Sequence, residues 1–256
     1  MNARKTLLAL TACPLVALAG GSPDDPDVVV TEGVRVIDSG TGSRVYYGVY
    51  DPGMLVFSIN EKVTIGGVVG DGVVSNAYPD FQFAWSGGSA SKPVVFTGTL
   101  ANAVDLTLNG DAHVRFTNDA IDKSITWRIY GELGVTSIGR TGLPSAMGTR
   151  NTFWLSDSKK YATLLYLGDG ETTDKTISFN YSGTLNAGAN GGLTLGGELT
   201  CKSPVSITLD GSNTQAAVIS GAVTETKDGA VAQFVKTGTG TWRFSELTRS
   251  AMSGAV

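Results

Sequence analysis

Charge is scarce in this chain. Only 16% of its 256 residues are Asp, Glu, Lys or Arg, against about 25% in an average globular protein. Its 19 basic and 23 acidic residues leave a net charge of −4. No cationic face is set up to attract phosphate, so a nucleic-acid partner is excluded from the reading. Histidine occurs once, as His113. Cysteine occurs twice, as Cys13 and Cys201, and Cys13 lies in the leading apolar segment. Cys201 then stands alone, which excludes an intramolecular disulfide and a clustered Cys/His zinc site. Proline is limited to 8 residues and glycine follows no three-residue period, so the chain is not collagen-like. Beyond residue 19 no run is long and apolar enough for a membrane helix. No window of a dozen residues sustains a 3.6-residue apolar period, so helix is expected to be scarce.

Glycine and short apolar runs are what the chain has instead. Glycine numbers 34, about twice ordinary usage. The apolar content of 41% is high enough to exclude a charged, disordered chain. The first five residues, MNARK, are basic, and TLLALTACPLVALA follows and ends in a small-x-small pattern before Gly20 and Gly21. Residues 1–19 therefore read as an export signal, with a flexible linker over 20–33. A lipoprotein anchor at Cys13 is the other reading of the same segment. Either places the protein outside the cell or on its surface.

From Val28 onward the chain alternates apolar runs with Gly/Asn/Asp/Ser turns. Strands are expected over 44–50, 54–60, 62–65, 81–85, 93–97, 104–108, 113–117, 124–130, 152–156, 162–167, 176–181, 193–195, 205–209, 217–220, 231–236 and 241–245. A form [LI]-T-L-x-G recurs at Leu106–Gly110, Leu193–Gly197 and Ile207–Gly211. Its outer apolar residues share one face, the Thr takes the other, and the Gly suits a corner. Such uneven self-similarity points to stacked coils of about 20–30 residues, a parallel β-helix. An antiparallel β-sandwich is the alternative, since Asn109-Gly110 and Asp210-Gly211 are hairpin-type turns. The ends of a stack need covering, and residues 31–50 and 246–256 are the expected caps.

Residues 233–245, QFVKTGTGTWRFS, carry an apolar pair, then Lys236, Thr237, Gly238, Gly240, Thr241 and Trp242, then Ser245. This closely resembles the signature of autotransporter-associated β-strand repeats. Residues 206–222 resemble the strand leading into it, and 139–144 and 164–176 resemble segments between such repeats. The resemblance implies a passenger-type, right-handed parallel β-helix over 34–245, serving as a structural or adhesive module on or outside a bacterial cell. After Ser245 the chain departs from the pattern, and no C-terminal membrane barrel follows.

Candidate chemistry is thin. His113 has the pKa range of a general base, but no triad order surrounds it. Asp38-Ser39-Gly40 lacks the glycine a protease motif would place before Asp38. Asp105, Asp111, Asp119 and Asp122, with Arg115 and Lys123, are the carboxylates and cations a polysaccharide lyase or hydrolase would need to cluster. Asp71-Gly72, Gly168–Glu171 and Asp210-Gly211 are oxygen-rich turns without a calcium-repeat or EF-hand pattern. The reading is therefore a non-enzymatic chain with no metal and no cofactor. Glycans or cell-surface components are its expected partners, with self-association through the β-helix ends. Trp127 and Trp242 are the expected glycan contacts.

Overall fold

The computed structural model describes residues 88–245, apart from 92, 101–103, 111, 157–160 and 228. Upstream it describes the backbone of strands between Val28 and Trp85. The described residues form no helix, and the chain is a right-handed parallel β-helix. One coil shows how it is built. Thr176–Phe179 joins a ten-stranded sheet, Gly183–Asn186 a seven-stranded sheet and Leu193–Leu195 a four-stranded sheet. Leu199–Cys201 then returns to the ten-stranded sheet beside Thr176–Phe179. A second four-stranded sheet runs along the upstream part, formed by Val34–Ile37, Met54–Phe57, Val73–Asn76 and Thr99–Leu100.

Every coil feeds the next strand in parallel, which excludes the antiparallel sandwich and its hairpins. The driving force is burial of alternate residues on each strand. Leu108, Ile129, Leu155, Phe179 and Cys201 stack in register through the ten-stranded sheet, all with no exposed surface. Leu133, Leu164, Leu185 and Leu209 likewise stack in register in the seven-stranded sheet, each at most 2% exposed. Thr152 lies opposite Thr176 and Leu199 opposite Val223, one coil of 24 residues apart in each case.

Three sequence expectations are corrected. The first described strand is Val28–Val30, paired with Val45–Tyr50, so the stack extends into the expected linker. Within the expected cap 31–50, Val34–Ile37 and Val45–Tyr50 are strands that pair onward with later coils. The [LI]-T-L form is not a coil repeat either. Its three copies lie on the ten-stranded, four-stranded and seven-stranded sheets respectively. It is a generic inward-outward-inward strand that serves any side. The expected signal (1–19) and tail (246–256), Cys13, Asp38-Ser39-Gly40 and Asp71-Gly72 lie outside the described residues.

The third side of the stack is interrupted twice, after His113–Phe116 and after Glu132–Val135. The second interruption is a long loop over residues 136–151. It buries Ile138, Ala146 and Met147 and so plugs the side of the stack without a strand.

Candidate functional site

The signature residues form the turn of the last described coil, and the coil beneath explains their identities. Thr237 and Gly240 donate backbone hydrogen bonds to Leu209 and Gly211 at 2.9 and 2.8 Å. Gly238 has φ +63° and sits on Asp210 and Gly211, where a β-carbon would collide. Gly240 lies against the Asn213 carboxamide, which is buried and donates to the Thr241 carbonyl at 2.8 Å. Lys236 is exposed and folds its ammonium onto the Thr237 and Gly238 carbonyls. The half-buried Trp242 pairs opposite Ala217 and donates its indole N–H to the Asp210 carbonyl at 2.9 Å. The signature is thus a stacking device. Gly240→Val is expected to lift Trp242–Phe244 off Ala217–Ile219. Amide exchange across 241–245 should rise at least about tenfold, as expected when one outer unit opens by over ~1.4 kcal/mol. Unchanged exchange would contradict this account of the signature.

Trp127 is not a glycan contact. It is 1% exposed, donates to the Met147 carbonyl at 3.1 Å and meets Phe116 edge-on at 4.9 Å. Ile125, Trp127 and Ile129 take the inward positions of their strand, which turns Thr126 and Arg128 outward.

The expected catalytic groups fall into several local pairings rather than one cluster. His113 lies opposite Glu132 in register, with Nδ1 3.4 Å from the carboxylate. Arg115 pairs with the same carboxylate from within the strand. Asp119 accepts from the Thr136 and Ser137 hydroxyls, both at 2.6 Å. Asp122 pairs with Lys123 at 3.1 Å. Asp105 belongs to the ten-stranded sheet instead, and Asp111 lies outside the described residues. Cys201 is buried, which pushes its thiol up to about 12, with Glu225 adding to the effect. Such a thiol is inert.

Two groupings escaped the sequence reading. The first pins the 136–151 loop. Glu171 accepts backbone N–H bonds from Ile138 and Gly139 at 2.5 and 2.9 Å, and Thr173 donates to the Gly139 carbonyl at 2.6 Å. Lys175 is 1% exposed and donates its ammonium to the Gly148 carbonyl and the Ser145 hydroxyl. Burial pulls Lys175 down to about 8, against the opposing pull of Glu171 and Asp174. Burial likewise raises Glu171 above its usual range, despite the two N–H donors. Ser145 is itself fully buried and within 2.9 Å of the Ile138 and Gly148 carbonyls. The buried Ser145–Lys175 pair therefore fastens the loop.

The second grouping lies on the outer face of the ten-stranded sheet. Thr107, Arg128, Trp154 and Ser178 follow one another in register on neighbouring strands. Arg128 donates to Asp105 at 2.8 Å. Arg150, exposed at the end of the loop, donates to the Thr126 hydroxyl at 2.5 Å. Its guanidinium carbon lies 5.6 Å from the Trp154 ring centre, a cation–π contact. Burial alone would raise Asp105, but hydrogen bonds from Thr126 and Arg128 and the charges of Arg128 and Arg150 hold it below the usual range. The result is two oriented guanidiniums and a half-buried indole around one carboxylate. Among the described residues no group of three or more His, Cys, Asp or Glu is placed to hold a metal ion. No protein-family profile, curated protein or solved structure matches this chain.

Proposed function

We propose that the chain is an exported structural or adhesive β-helix of the passenger type, working on or outside a bacterial cell without catalysis. The observation that carries this reading is the outward ladder on the ten-stranded sheet. Stacked parallel coils set Arg128 and Trp154 side by side on neighbouring strands, with the exposed Arg150 beside them. Charged and aromatic side chains held together on strands offer a shallow surface suited to contacts with glycans or cell-surface components. The basic-then-apolar N-terminus and the low charge support export. The tying of Asp119, Asp122, His113 and Ser145 into separate local networks supports a non-enzymatic role.

Export is tested by producing the full chain in a bacterial host. The mass of the recovered protein and its digestion by protease added to intact cells are then measured. The expected result is a chain shortened by its first 19 residues, or lipidated at Cys13, and degraded by external protease. A full-length chain protected inside the cell would overturn the proposal.

A further inference from the structure

We infer that the Arg128–Arg150–Trp154 face is a binding site for a carboxylate-bearing saccharide, an inference that rests on the adhesive reading above. Three observations carry it. First, the local charge is inverted. Two guanidiniums surround the single carboxylate of Asp105 on a chain whose net charge is −4. Second, both cations are held in place before any ligand arrives. Asp105 orients Arg128, while Thr126 and the Trp154 ring orient Arg150. A planar guanidinium fixed in this way keeps further N–H groups for paired bonds to a second carboxylate. Third, Trp154 stands directly opposite Arg128 on the next strand, at the ~4.8 Å spacing of neighbouring strands. The negative face of an indole attracts the weakly positive C–H groups on one side of a sugar ring. Arg150 lies over one face of the indole, so a sugar ring against the rest of this half-buried side chain would bring its carboxylate within reach of Arg128 or Arg150. Because these groups sit on strands and at a loop end pinned by Lys175, little ordering cost falls on binding.

The test titrates the purified full chain with tetragalacturonate, its methyl ester and a single-stranded DNA of similar charge. Arg150→Gln and Trp154→Ala are compared with a remote control, Lys202→Gln, and each variant is checked for native circular dichroism. Arg150 and Trp154 point outward, so their replacement leaves the stacked interior intact. The expected result is binding of the oligouronate, at least about tenfold weaker for the ester, for Arg150→Gln and for Trp154→Ala, and unchanged for Lys202→Gln. Equal binding by the wild type and both variants would overturn the site. So would equal binding of ester and acid, or DNA binding as tight as the oligouronate. Absent uronate binding with retention on neutral glycans would overturn the site and leave the adhesive reading standing. Absent retention on any glycan or cell surface would overturn both.

Discussion

Trp127→Ala is expected to lower the free energy of unfolding by about 3–5 kcal/mol, the range for deleting a large aromatic from a packed core. The side chain has 1% of its surface exposed. It stacks in register between Leu106 and the inward side of the next coil, and it packs edge-on against Phe116, which in turn contacts Phe96. Its N–H also holds the Met147 carbonyl, so truncation leaves a cavity and an unpaired carbonyl in the loop. Urea denaturation followed by far-ultraviolet dichroism measures the loss. A change under about 0.5 kcal/mol, ordinary for surface residues, would mean the indole faces solvent and would reverse the inward and outward sides of this strand.

Lys175→Met is expected to abolish a rise of stability with pH. Lys175 titrates near 8 in the folded chain, below its ordinary 10.5. Below pH 8 both states carry the charge, and the folded state bears the full cost of the buried ammonium. As the pH rises through 8, the folded chain releases its proton while the unfolded chain keeps it, so stability increases. Cys201 acts in the opposite sense, because its folded value near 12 lies above its ordinary 9. From pH 9 upward the unfolded thiol ionises first and stability falls. Tyr166, pushed to about 12 by burial, does the same above pH 10. The wild type should therefore gain about 1 kcal/mol between pH 7 and 9, then turn over. Met fills much of the same volume but leaves the Gly148 carbonyl without its ammonium donor and buried Glu171 without its cation, so the variant should be less stable at pH 7. Its stability should stay flat to pH 8 and decline above pH 9. Parallel profiles for the two proteins would show that Lys175 is solvated and that the loop is held some other way.

Much of the fold was legible because its rule is local. Each coil needs only alternate apolar residues in short runs, and runs such as 104–108 and 193–195 coincide with strands Val104–Leu108 and Leu193–Leu195. The inward setting of Trp127 was missed, although Ile125 and Ile129 flank it at the same parity. Strands such as Gly183–Asn186 and Val223–Glu225 were missed too. A three- or four-residue strand needs one or two inward residues, and Thr, Asn or Glu outside them read as a turn. The candidate site was less visible, because stacking assembles it. Arg150 meets Thr126, and Arg128 meets Asp105, across coils separated by more than twenty residues in sequence. A lysine in the run Thr-Thr-Asp-Lys likewise reads as surface. Only the overlying loop, with the Gly148 carbonyl and Ser145, makes a buried position for it. Gly197, read as a corner, is glycine because its neighbour coil passes too close at Lys175 for a side chain.

The most direct test of the central claim, a non-catalytic β-helix that binds through its outer face, is one measurement on the purified protein. It is incubated with a panel of immobilised neutral and acidic polysaccharides. Retention and the release of new reducing ends or unsaturated products are recorded in the same samples. Retention is expected, strongest on the acidic members, with no products above the protein-free control. Products formed by the wild type would contradict it and turn attention to Asp105, Asp111, Asp119 and Asp122 as catalytic groups.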